Sequence, residues 1–167
     1  MTLFCPTFRS SIIKACALFG FIVAAPLAGA IPAHAQTPNQ ILYFYSGVHD
    51  SGGAANTGRA TSIHCSNFSG VPVAVQFLVY APNSNVLANQ TAIIGHTGTV
   101  TAATKFTGIY IEDLNLNTGA LSAGLAAVVG SNPYVVCTAQ VLDAGAVVPV
   151  GFALHGVRFN PIAGTQE

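Results

Sequence analysis

The sequence predicts an all-β protein, an antiparallel two-sheet sandwich of about eight short strands. Three observations carry that expectation. Apolar residues recur with period two, turn-forming clusters divide the chain at short intervals, and no segment keeps a helical apolar stripe for long. The chain is also 51% apolar and 6% charged, which excludes disorder for the whole and suits a packed core under an uncharged surface.

The candidate strands follow in order. In 41–48, alternation sends Tyr43 and Tyr45 to one face and Leu42 and Phe44 to the other. Asp50-Ser51-Gly52-Gly53 ends it. In 60–68, Ile63 and Cys65 share a face opposite Ser62, His64 and Ser66. After Ser69-Gly70, the odd positions of 71–80 are Val71, Val73, Val75, Phe77 and Val79, the clearest alternation in the chain. Strands 86–94 and 99–106 are set off by Pro82-Asn83-Ser84-Asn85 and Gly95-His96-Thr97-Gly98. The segment 121–129 has Leu121, Leu125 and Val128 at helical spacing. Gly124 interrupts it and Val128-Val129 closes it before Gly130-Ser131-Asn132-Pro133, so it reads as a strand, with a helix as the alternative. In 134–142, Val135, Cys137, Ala139 and Val141 share a face. The last strand spans 150–159.

Upstream, Arg9 and Lys14 precede an uncharged apolar run over 15–33, and Ala33-His34-Ala35 supplies a small-residue exit. A cationic start, an apolar middle and an A-x-A end form a secretory signal, with a helix expected over its apolar part and cleavage after Ala35. Ala28-Gly29-Ala30 is a second cleavage pattern. A membrane anchor is the rival reading, weakened by Pro26 and Pro32. The expected organisation is a signal over 1–35 and one domain over 36–167, without a membrane span after cleavage and with a periplasmic or extracellular destination. Removal of the signal takes Cys5 and Cys16 with it and leaves Cys65 and Cys137, an even count that reads as one disulfide in an exported domain. Both lie on the apolar parity of their strands, which suggests a bridge joining the two sheets across the core. That spacing and parity resemble the inter-sheet disulfide of immunoglobulin-like domains. The chain has no Trp, however, and Tyr134 stands three residues before the second cysteine instead of two.

Three stretches resemble a group of exported bacterial proteins of unassigned function. They are Thr57-Gly58-Arg59-Ala60-Thr61-Ser62-Ile63-His64-Cys65-Ser66-Asn67, then Val136-Cys137-Thr138-Ala139, then Val157-Arg158-Phe159-Asn160-Pro161 with Gly164-Thr165-Gln166-Glu167. The resemblance implies a bacterial, exported, disulfide-bearing domain. It carries no catalytic or binding residue with it.

Charge and motif content narrow the function classes. The mature segment holds Arg59, Lys105 and Arg158 against Asp50, Glu112, Asp113, Asp143 and Glu167, a net charge of −2 that offers no phosphate-tracking surface for nucleic acid. His49, His64, His96 and His155 are too widely spaced for a short-range metal motif, although His64 and His155 share outward parity and could meet across strands. His64 and Cys65 point to opposite faces, so they form no catalytic dyad. The five acids assemble no evident carboxylate pair, and neither a G-x-S-x-G nor a phosphate loop occurs. The expectation is an exported protein that is not an enzyme and needs no cofactor. It would be structural or adhesive, with an envelope protein or a glycan as partner. The alternative is a small carbohydrate-binding-like module using Tyr43, Tyr45 or Tyr80, since an exposed tyrosine ring can stack on a sugar. Burial of the aromatic strand on both faces is the simpler reading of Tyr43 and Tyr45.

Overall fold

A computed structural model describes residues 37–159. Residues 1–36, on which the expected signal and its expected helix fall, and residues 160–167 lie outside the described residues. The chain forms β1 (Gln40–Asp50), β2 (Arg59–Asn67), β3 (Val73–Tyr80), β4 (Val86–Ile94), β5 (Thr99–Ala103), β6 (Leu114–Asn115), β7 (Leu121–Gly130), β8 (Val135–Asp143), β9 (Gly151–Leu154) and β10 (Gly156–Arg158). Two five-stranded sheets result. Sheet A runs β10-β1-β7-β3-β4, and sheet B runs β6-β5-β2-β8-β9. Between them lie Leu42, Tyr45, Val73, Val75, Phe77, Val79, Ile63, Val128 and Val135, all at 1% exposure or less. Burial of such a layer is the main favourable term in forming the sandwich.

The segment 121–129 is a strand, and it sits centrally between β1 and β3. Four details differ from the sequence reading. First, the predicted last strand breaks at His155: β9 pairs with β8 in sheet B, and β10 pairs with β1 in sheet A. One chain segment thereby closes one side of both sheets. Gly151 permits the approach, because a Cβ there would lie 2.1 Å from the Val141 carbonyl oxygen. Secondly, the strand expected over 99–106 ends at Ala103, and β6 pairs with β5 in parallel, so the sandwich has ten strands and is not wholly antiparallel. Thirdly, a register shift between Ile41 and Tyr43 turns Leu42 inward together with Tyr43 and Tyr45. A second shift surrounds Gly47, whose φ of 80° suits a bulge.

The fourth difference concerns the bridge. Cys65 and Cys137 are joined, and both face the core as their parity requires. They are also direct partners in the β2–β8 ladder, with Cα atoms 4.2 Å apart. The bridge therefore clamps neighbouring strands of sheet B instead of joining the two sheets. Parity assigns a residue to a face, and two residues on one face are as free to be lateral neighbours as to oppose each other.

Candidate functional site

The two outer faces of the sandwich differ in chemistry. On sheet A, register places Val157, Phe44, Ala127 and Leu78 in one row and Ser46, Leu125 and Tyr80 in the next. Phe159 packs edge-on against Phe44 at 4.6 Å between ring centroids. The charged residues in the strands of this sheet are Asp50 and Arg158. Asp50 is buried, and Arg158 donates to Tyr43 Oη and the Pro133 carbonyl. The outer face is consequently uncharged, mostly apolar over β10, β1 and β7 and mixed over β3 and β4, where Gln76 Nε2 donates to Asn89 Oδ1 and Thr91 is exposed. At one end it dips into an open groove of about 640 Å³, lined by Phe44, Tyr80, Pro82 and Leu125 among others.

The three tyrosines separate here. Tyr43 and Tyr45 stack on each other within the core at 7% and 1% exposure. Tyr45 Oη donates to the Cys137 carbonyl at 2.7 Å, a link between the sheets. Burial, with Tyr43 beside it and Arg158 opposing, pushes the Tyr45 phenol well above its ordinary range. Neither ring is presented to a sugar, which corrects the ligand-contact expectation for these two. The register shift at Leu42 is one reason, since it commits this end of β1 to the core. Tyr80 alone of the three reaches the groove.

Sheet B has a polar outer face. His64 pairs with Thr101 on one side and Thr138 on the other, flanked by Ser62, Ser66 and Gln140. His64 Nδ1 lies 3.0 Å from Thr101 Oγ1, and Nε2 lies 3.3 Å from Ser62 Oγ. The segment 104–113 folds over this ring. Tyr110 meets it edge-on at 4.6 Å, and Gln140 Nε2 donates to Tyr110 Oη at 2.6 Å. Glu112 accepts from the Thr107 amide and Asp113 accepts from the Thr101 amide, so the neighbouring acids diverge to different tasks. The Tyr110 lid has no signature in the sequence, because an irregular segment carries no period. Thr138 stands between His64 and β9, so His155, just beyond β9, is not its lateral neighbour. Among the described residues, no three His, Cys, Asp or Glu side chains gather as a metal site.

Burial lowers the His64 pKa below its ordinary value, with the Glu112 carboxylate opposing. The unfolded chain then binds this proton first, so the stability due to neutral His64 is complete above the unfolded value near 6.5. It falls as pH drops through that value towards the lower folded pKa. Acidification from neutral pH should therefore lower the melting temperature more in the wild type than in His64→Gln. Equal acid-side slopes for the two proteins would refute this assignment.

No family model, curated protein or solved structure matches this chain.

Several residues of the three quoted stretches that fall within the described part make contacts that hold the fold together. Cys65 and Cys137 form the bridge, the Thr57 carbonyl accepts from Lys105, and Asn67 is fully buried with Nδ2 donating to the Val71 and Ile94 carbonyls. Arg158 lies over the Tyr43 ring at 5.1 Å. A buried ion pair also went unread in the sequence. Lys105 Nζ lies 2.8 Å from Asp50 Oδ1, with the two residues at 7% and 3% exposure. Lys105 also donates to the Gly52 and Thr57 carbonyls, and Asp50 accepts from the Gly52 amide and from Thr118 Oγ1. Asp50 ends β1 of sheet A and Lys105 follows β5 of sheet B, so this pair, like Tyr45 and the Cys137 carbonyl, links the sheets as the disulfide does not.

Proposed function

We propose that this chain is an exported, non-catalytic structural or adhesive β-sandwich of the bacterial envelope or extracellular space. The outer face of sheet A is its contact surface. One observation carries the reading: that face is uncharged and largely apolar over β10, β1 and β7, whereas the opposite face is polar and partly covered by its own segment 104–113. Apolar surface left facing water on one side of a sandwich suits contact with a partner. The resemblance to exported bacterial proteins agrees with it. The immunoglobulin-like description belongs to the proposal only as two facing sheets, since a bridge within one sheet lends it no support.

Co-sedimentation of the exported protein with cell-envelope fractions tests the proposal. Retention should be lost in Leu125→Glu, which puts a charge on the middle strand of the face beside the groove, and kept in Thr138→Glu on sheet B. Equal retention of all three proteins, or retention of none, would sink it. The groove beside Tyr80 favours the second reading, a ligand-binding module. Specific micromolar binding on a glycan array, abolished by Tyr80→Ala, would establish that reading in place of the first.

A further inference from the structure

The four sheet edges are unequal. β6 has two residues, β9 four and β10 three, and each is too short to template a long partner. β4 has nine residues, Val-Leu-Ala-Asn-Gln-Thr-Ala-Ile-Ile, and among the described residues it pairs with β3 alone. Edge strands are ordinarily protected by charge, proline, a bulge or a covering segment. β4 contains neither a charged residue nor a proline. Its register with β3 is regular from Ile94 back to Ala88, with a shift only at the Val79–Tyr80 end. Among the described residues, nothing hydrogen-bonds to its backbone beyond the β3 ladder except Asn67 Nδ2 at the Ile94 carbonyl. Val86 and Ile93, near its two ends, are 54% and 66% exposed.

We infer that β4 pairs antiparallel with β4 of a second copy of this chain, joining two A sheets across a two-fold axis into one ten-stranded sheet. A two-fold axis normal to a sheet places an edge strand antiparallel to itself, so the donors and acceptors along β4 are their own complement. Absence of charge matters most near that axis, where each side chain lies close to its own copy and like charges would repel. The same axis brings the Val86 end of one strand beside the Ile93 end of the other, covering apolar surface at both ends. Pairing β4 to a different edge of the next copy would instead build an open fibre, and those edges are too short for it. The inference deepens the contact-surface reading and rests on it, because the joined sheets present that surface twice on the same side.

Sedimentation of the exported protein across micromolar concentrations should reveal a reversible dimer. Thr91 is exposed on the outer side of β4, opposite Gln76, so a charge there leaves the core untouched. Thr91→Lys and Thr91→Glu should each weaken the dimer by up to about fivefold through like charges across the axis, and an equimolar mixture of the two should restore it. Leu125→Glu, on β7 two strands from the edge, should leave the dimer intact. Amide exchange of wild-type β4 should slow with rising concentration, which reads the contact without any substitution. A monomer throughout, or a dimer indifferent to both Thr91 variants, overturns the inference. A dimer dissolved by Leu125→Glu alone overturns it while leaving the contact-surface reading standing. Intact β4 pairing without envelope retention overturns only that reading.

Discussion

Cys65→Ala and Cys137→Ala are each expected to destabilise the domain by about 2–5 kcal/mol, with a fall in melting temperature on the order of 10 °C. The bridge spans a sequence separation of 72 residues, which contains β3 to β7. Closing a loop of that size restricts the unfolded chain by about 4 kcal/mol in the chain-entropy account. In the folded state the β2–β8 ladder, running from Arg59↔Asp143 to Asn67↔Val135, already holds the two residues together. The variants should therefore keep the native fold and lose only its margin, which for a domain of this size is roughly 5–15 kcal/mol. The double variant should be no weaker than the weaker single one, since removing either sulfur abolishes the constraint. Thermal denaturation of the three proteins checks this. Free thiols titrated at both Cys65 and Cys137 in the denatured protein, or losses that add, would refute it.

Lys105→Met should cost about 3–5 kcal/mol, comparable to loss of the bridge, because it strands the Asp50 carboxylate at 3% exposure without its cation. The Gly52 amide and Thr118 Oγ1 still donate to Asp50, but neither cancels a full charge. Asp50→Asn should cost a similar amount by leaving the ammonium with two carbonyls. Replacing both, as Asp50→Leu with Lys105→Met, should cost much less than the sum, because no unpaired charge stays buried. A double-mutant cycle by chemical denaturation reads the coupling directly. Single losses that simply add would show that the two groups do not hold each other.

Much of the core was legible as alternation. Val73, Val75, Phe77 and Val79 are buried as their parity requires, and so are Ile63, Cys65, Val135 and Ala139. Period-two burial is a local property, needing only that one face of a strand be apolar. It failed where the backbone slipped, at the shift beside Leu42 and at His155, because a bulge or a change of sheet alters the phase without a fixed residue signature. The candidate site was legible only in part. Tyr80 was singled out, whereas Phe44 became an outer-face residue only once the bulge had set the phase of β1.

The sequence by itself determined most of the side chains that enter the core, where most turns fall, and that both cysteines lie on a buried face. Tertiary structure alone decided which strand lies beside which. It made Cys65 and Cys137 lateral partners, left the linking of the sheets to contacts such as Asp50 with Lys105 and Tyr45 with the Cys137 carbonyl, and put β4 rather than another strand at the long edge among the described residues. The reason is that ladder hydrogen bonds are made by backbone groups common to almost every residue. Lateral order is therefore chosen by the packing of the whole chain and is not written in the period of any one strand.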